Sequence, residues 1–289
     1  MNQTQGVIFL VTFSLLTGMG GYFVKLTHGI NPQQILFFRA LLASIFLLSV
    51  AIFSHRLHEL KFRNPVNTIV MGVVQGLSVY LFYAALSLTT ITNAILLTYT
   101  APIFSVILSV IFLRETIARK TIVGIIISLV GVILVSDPSG ISIGSSQTLG
   151  SLLALLGAFF YAAMAISSKT LTQKTTPLYA AFWQYFIILI LTSVFAFNLT
   201  LSNFTSNIVS LVYLGWAAGG IAFLLYMQGV KRVKGQLIQI ITMLEVLVGS
   251  LSGVFLLGET LTLPIVLGAA CILGGVLIAT SKSQKKLTK

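Results

Sequence analysis

Glu245 lies in the middle of an apolar run, and it is the only one of the five acidic residues that does. A carboxyl group in hydrocarbon is costly to keep, so it marks a working position. It can bind a cationic or amine-bearing compound, exchange a proton with one, or serve only as a hydrogen-bonded tie between helices. At about 100° per residue, Thr242, Glu245, Gly249 and Ser252 fall in one narrow stripe of a helix, with Gln239 at its edge. Such a stripe faces a cavity or another helix. Pro102 supplies a second local anomaly. It has no N–H, so the carbonyl of Thr98 loses its helical partner. Thr98, Tyr99 and Thr100 then form a polar wall, unless the proline is only a packing kink.

Other polar and aromatic residues sit at useful depth. Gln75 and Ser78 are three apart, with Tyr80 and Tyr83 on a nearby face. Trp183, Gln184 and Tyr185, and further on Trp216 and Tyr226, add aromatic surface. Rings near the ends of apolar runs commonly anchor a helix at the lipid interface, and Tyr99 and Trp183 lie deepest. Arg39 lies about one turn inside an apolar run, where it can meet a carboxylate, close a gate, or snorkel to the interface. Lys25 and Lys169 each end an apolar run, as interfacial anchors or gate residues.

The elements that position these residues follow from composition. Hydrophobic residues make up 57% and charged residues 8% of the 289. That leaves too little polar surface for a soluble fold, so most of the chain faces lipid or other apolar helices. Ten runs approach the length needed to cross a bilayer: 6–26, 35–53, 67–87, 93–113, 121–136, 148–168, 179–197, 208–228, 237–257 and 263–281. Backbone polar groups cannot stay unpaired in hydrocarbon, so the runs are helices. The expected fold class is an all-α polytopic membrane protein. Polar stretches at 137–147 and 198–207 are expected as connectors. Met1 to Gln5 lacks a basic signal region, and the first run is expected to be a retained span.

The chain is also written twice. Glu115 and Glu259 are 144 residues apart, and the same offset pairs Gly6 with Gly150, Lys25 with Lys169, Thr98 with Thr242, Gly124 with Gly268 and Gly131 with Gly275. Each half, 6–137 and 148–282, holds five runs. An odd number turns the second half upside down relative to the first. The basic residues agree. With the N-terminus inside, all of the 17 Lys and Arg except Lys25 and Arg39 fall in cytoplasmic segments. Aligned loops swap charge: Arg114, Arg119 and Lys120 match Gly258, Leu263 and Pro264, whereas Lys231, Arg232 and Lys234 match Ser87, Leu88 and Thr90. The expectation is an inner, plasma-membrane protein with both termini in the cytoplasm, built as two inverted five-helix repeats.

Several motifs carry a resemblance. These are Ala84-Ala85-Leu86, Ala101-Pro102, Leu113-Arg114-Glu115, Gly124 and Gly131 in the first half, and Leu257-Gly258-Glu259, Gly268 and Gly275 in the second. The chain resembles the drug/metabolite transporter superfamily, as a ten-span protein with two EamA domains. Where that family's second half often has Glu-Pro, this chain has Glu245-Val246. The resemblance implies secondary transport of small metabolites, often efflux of amino acids or related compounds. It also implies a cavity between the halves, with the fifth and tenth helices as scaffold.

Taken together, a secondary transporter working by alternating access is expected, most simply an exporter of amino acids or related amphipathic compounds. An uptake carrier or an exporter of cationic drugs on the same fold is the alternative. The partners expected are a small-molecule substrate, the bilayer, and a proton or cation for coupling, with no nucleic acid and no cofactor. An enzyme is disfavoured because His28, His55 and His58 lie in loops and the spans hold no carboxylate pair or metal-ligand cluster. Charge rings or filter sequences of a channel are not evident. Gly18, Gly20 and Gly21 follow no strand, which rules out a dinucleotide loop. Cys271 is read as inert core.

Overall fold

The computed structural model describes residues 3–89, 91–136, 145–196, 201–257 and 262–281, and the regular structure among them is helical. Ten principal helices follow one another: α1 (Gln3–Lys25), α2 (Pro32–Phe53), α3 (Pro65–Leu88), α4 (91–113), α5 (Arg119–Ser136), α6 (Ser145–Lys174), α7 (Pro177–Thr192), α8 (Ile208–Arg232), α9 (235–257) and α10 (Leu263–Thr280). Among the described residues α1 to α4 and α6 to α10 are long and apolar enough to cross a bilayer. α5 has 18 residues, as many as α10, opens on Arg119 and Lys120, and lies along α10.

Local sequence sets the ends. Asn31 accepts from the backbone N–H of Gln34 at 3.0 Å, and the Gln34 side chain accepts from the Asn31 N–H at 3.1 Å. With Pro32 in the first turn, this capping box starts α2. Thr176 caps α7 through the N–H of Tyr179, again ahead of a proline. Arg114 ends α4 in the left-handed conformation at φ 54°, with its own N–H and that of Glu115 turned back to the carbonyl of Ser109. Both expected polar connectors are shorter than the sequence suggested. Residues 145–147 already belong to α6, and 201–206 form a helical turn. Asn207 next to that turn bonds the backbone of His28 in both directions, at 2.8 and 2.9 Å. The rest of the connector between the halves, and Glu259, lie outside the described residues.

Three helices are interrupted. α1 breaks at Met19 among glycines. α4 breaks at Tyr99 and Thr100, ahead of Pro102, as expected. α9 breaks at Met243, between Thr242 and Leu244, although no proline is present. Met243 and Tyr99 are 144 residues apart, so the two halves break at the same position. A nine-residue π-helical segment, Tyr213–Ile221, lies inside α8.

The halves interlock. α1 packs on α8 and α3 on α6, α1 on α9 and α4 on α6, α2 on α8 and α3 on α7, while α2 pairs with α7 and α5 with α10. Exchanging the halves maps each of these contacts onto another of them, as a twofold relation requires. The α5–α10 seam shows why glycine recurs there. A Cβ on Gly124 would lie 2.6 Å from the carbonyl oxygen of Gly275, and one on Gly131 would lie 2.6 Å from that of Gly268.

Candidate functional site

Several of these interruptions meet at one cavity of about 560 Å³. Its walls are the C-terminal part of α1 from Phe13 to Val24, Arg39 of α2, the Gln75–Phe82 stretch of α3, and Ile95, Thr98 and Tyr99 of α4. Tyr161 of α6, Leu214, Ala218 and Phe223 of α8, and Glu245 to Ser250 of α9 complete them. Among the described residues, none of α5, α7 or α10 lines it. Broken helices at such a place leave backbone polar groups where only protein or water can satisfy them.

Glu245 follows directly on the break in α9. Its Oε1 has no hydrogen-bond partner among the described residues. Thr17, Tyr161 and Arg39 line the same cavity, and the Thr17 hydroxyl donates to the carbonyl of Phe13 at 2.8 Å. Arg39 is half-buried. It lines the cavity, donates from Nη2 to the carbonyl of Ala218 at 3.2 Å, and lies 5.8 Å from the centre of the Phe223 ring. That carbonyl belongs to the π-helical segment of α8. One guanidinium and one carboxyl group therefore share a cavity whose other described polar residues are of uncharged types. Gln75 adds a carbonyl oxygen without a partner among the described residues, and the hydroxyl of Ser78 is spent on the carbonyl of Gly157 at 3.1 Å.

Aromatic packing fixes the floor. Phe13 stands edge-on to Phe223 at 5.1 Å between ring centres and tilted against Tyr226 at 4.8 Å. Close approach of α1 to α9 depends on Gly18, where a Cβ would lie 2.6 Å from Val248 and 2.9 Å from the carbonyl of Glu245. A Cβ on Gly249 would make only ordinary contact, 3.5 Å from the carbonyl oxygen of Gly18.

Six of the sequence candidates thus come together: Glu245, Arg39, Gln75, Ser78, Thr98 and Tyr99. The others go elsewhere. Gln239 and Thr242 are buried below the cavity; Gln239 donates to the carbonyl of Tyr161 at 2.9 Å, and Thr242 donates to the Gln239 side chain at 3.1 Å. Trp183 lies at the basic end of the molecule. It donates to the carbonyl of Leu60 at 3.0 Å and packs among Phe62, Phe182 and Phe186. Pro102 is buried just beyond the break in α4. Lys25 is exposed at the end of α1, whereas Lys169 is buried and donates to the carbonyls of Val230 and Val233 at the end of α8. Trp216 and Tyr80 face outward. Sequence reasoning missed Thr17, Tyr161, Phe13 and Phe223. A usable signal existed for the first two, because Thr17 and Tyr161 are themselves 144 residues apart.

Comparison with known proteins agrees with this arrangement. The model of the EamA-like transporter family matches residues 4–137 and again 148–281. An uncharacterized transporter of Archaeoglobus fulgidus is 31% identical over 72% of this chain and 74% of its own length. A protein of Rickettsia bellii named as an S-adenosylmethionine uptake transporter is 22% identical over 90% of this chain and 87% of its own. A crystal structure superimposes with a TM-score of 0.86 at 18% identity, covering 96% of this chain and 97% of the other. At that identity the superposition speaks for the fold alone.

Proposed function

The chain belongs to the EamA-like transporter family, and so to the drug/metabolite transporter superfamily, and from that premise we propose that it is a secondary transporter of small zwitterionic compounds. It is a multi-pass membrane protein with a small-molecule substrate. The observation that carries the finer reading is the joint presence of Glu245 and Arg39 in one aromatic-walled cavity. An amine would partner the buried, unpartnered Oε1 of Glu245 while a carboxylate meets the guanidinium of Arg39. Tyr99, Phe82 and Phe223 then contact an apolar side group. Amino acids and related amphipathic compounds fit this charge pattern. A sugar phosphate or nucleotide, which needs clustered cations, does not.

The mechanism we propose is alternating access. The two five-helix halves, near 6–137 and 148–282, rock about the midplane cavity, and α5 and α10 hold the seam. Glu245 can carry the coupling proton, and Arg39, Lys25 and Lys169 are the gate candidates. The distribution of basic residues supports an inner-membrane protein with both termini in the cytoplasm, and with it a cavity that opens away from the cytoplasm. Export is the proposed direction. Uptake of a cationic or zwitterionic compound is the second reading, favoured by the name of the Rickettsia bellii relative. Purified protein in liposomes decides between these. Counterflow of a labelled amino acid, saturable and competed by other zwitterions, is the expected result. Flux competed only by cations would replace the zwitterion reading.

A further inference from the structure

The cavity opens at one end, and the basic end is shut by contacts between the halves. Glu115, just past α4, accepts from the backbone N–H groups of Gly235 at 2.8 Å and Gln236 at 3.3 Å. These are the first two N–H groups of α9. Its N-cap residue, Lys234, makes no side-chain cap, so a carboxylate from the other half serves the helix end and its positive dipole. The side-chain amide of Gln236 donates to the carbonyl of Thr116 at 3.0 Å, and Ser105 donates to the carbonyl of Gly235 at 3.2 Å. Within the second half, Lys169 serves the neighbouring end of α8 in the complementary way, as a cation on its last carbonyls. Its repeat equivalent at the open end, Lys25, is exposed.

The same contrast runs through the cavity wall. Arg39, Phe82, Ile95 and Thr98 line the open cavity. The 144-residue offset carries them to Trp183, Tyr226, Gln239 and Thr242. Three of those four are buried, Tyr226 at 0% and Gln239 and Thr242 at 2% exposure. In an inverted duplication each half can adopt the conformation of the other with the ends exchanged. The positions that are open in one half are then the positions that open in the other.

We propose that a second vestibule opens at the basic end in the alternate state, lined by Trp183, Tyr226, Gln239 and Thr242, and that Glu115, reaching α9 from the other half, holds it closed here. This rests on the alternating-access reading. Trp183 stands where the open end has Arg39, so the second vestibule offers amide, hydroxyl and ring but no guanidinium from that position. It takes the apolar body of an amphipathic solute and holds its carboxylate less tightly than the open cavity does. Glu115 is a positioning residue, acting through the first turn of α9.

Single cysteines in a Cys271→Ser background test this with a membrane-impermeant maleimide applied from the basic side of oriented membranes. With Glu115 intact, Thr242→Cys is expected to react slowly. Adding Glu115→Ala is expected to raise its labelling rate about tenfold, the scale of a lost helix cap with its charge. Glu115→Asp is expected to restore most of the protection. Ser128→Cys, buried in the α5–α10 seam, is expected to stay unreactive throughout. Labelling of Thr242→Cys that is indifferent to residue 115, or labelling of Ser128→Cys in parallel with it, overturns the proposal. Labelling needs no transported compound, so a protein that fails here while showing counterflow loses only the vestibule. One that labels as expected but moves no zwitterion loses only the substrate reading.

Discussion

Thr17 and Tyr161 occupy the same position in the two halves of the chain, and both line the cavity that Glu245 lines. A duplicated pair shares the cavity with a residue that is itself not duplicated, since its repeat equivalent is Ala101. The cavity is therefore symmetric in these two positions and asymmetric in its carboxyl group.

If Glu245 carries substrate amine or proton, Glu245→Gln keeps the shape and removes the charge. Counterflow in liposomes is expected to fall about tenfold or more, in keeping with the loss of a charge-assisted contact in a low-dielectric site. The dependence of transport on pH is expected to disappear with it. Unchanged flux across pH in this variant would remove Glu245 from coupling.

Arg39 should discriminate among solutes rather than drive flux in general. Arg39→Ala is expected to weaken competition by carboxylate-bearing zwitterions about tenfold or more while sparing amines that lack a carboxylate. Arg39→Lys keeps the charge but loses the planar fork, so an intermediate effect is expected. Equal loss for both solute classes would assign Arg39 to the fold instead, through its bond to Ala218.

The shared place of Thr17 and Tyr161 on the wall that Glu245 lines predicts coupling between them. Thr17→Val and Tyr161→Phe each remove one hydroxyl with little change of shape. The double variant is expected to depart from additivity in apparent affinity by about 0.5 kcal/mol or more, as residues coupled through a shared cavity do. A strictly additive cycle would show that the two hydroxyls act independently.

The α5–α10 seam should be sensitive to any added side chain. Gly131→Val places a Cβ against the carbonyl of Gly268 and is expected to destabilise the protein by about 1–3 kcal/mol, read as a lower unfolding midpoint in detergent. Gly274→Val, at a glycine with nothing within 4 Å, is the control and should unfold near the parent.

Glu59, outside the spans, separates surface effects of acid from those of the cavity. The guanidinium of Arg56, bonded to it at 2.6 and 2.9 Å, holds its carboxyl below the usual carboxylate range. A folded-state pKa below the unfolded one stabilises above the unfolded value, and that stabilisation is lost as pH falls through the folded value. The pair is partly exposed, so its contribution is about 0.5 kcal/mol or less. Glu59→Gln is therefore expected to leave the pH profile of transport near neutrality unchanged, and a shifted profile would implicate this surface pair.

Much of the site was legible because intramembrane polarity is rare. Glu245, Arg39, Gln75 and Thr98 stand out in apolar runs for the same reason that they end up facing a cavity. Trp183 misled because its depth in the run says nothing of which end of the molecule that depth lies nearest. Its repeat equivalent is Arg39, and the inversion of the second half sends the two to opposite ends. Gln239 and Thr242 share a stripe with Glu245, yet α9 breaks at Met243 between them and the carboxyl. Without a proline at 246 that break has no local signature. Thr17 and Tyr161 escaped notice because hydroxyl-bearing residues are common throughout these helices.

By itself the sequence determined a duplicated, helical, membrane-spanning chain. An 8% charged composition leaves no soluble alternative, backbone groups in lipid must bond within helices, and the 144-residue offset fixes which residues are counterparts. Only the tertiary structure decided which of them share a cavity and which are shut away. That depends on how far each helix is rotated and where it breaks. Contacts between the halves, such as Gly18 against Glu245 and Glu115 against Gly235, set those quantities, and neither residue of such a pair reveals them alone.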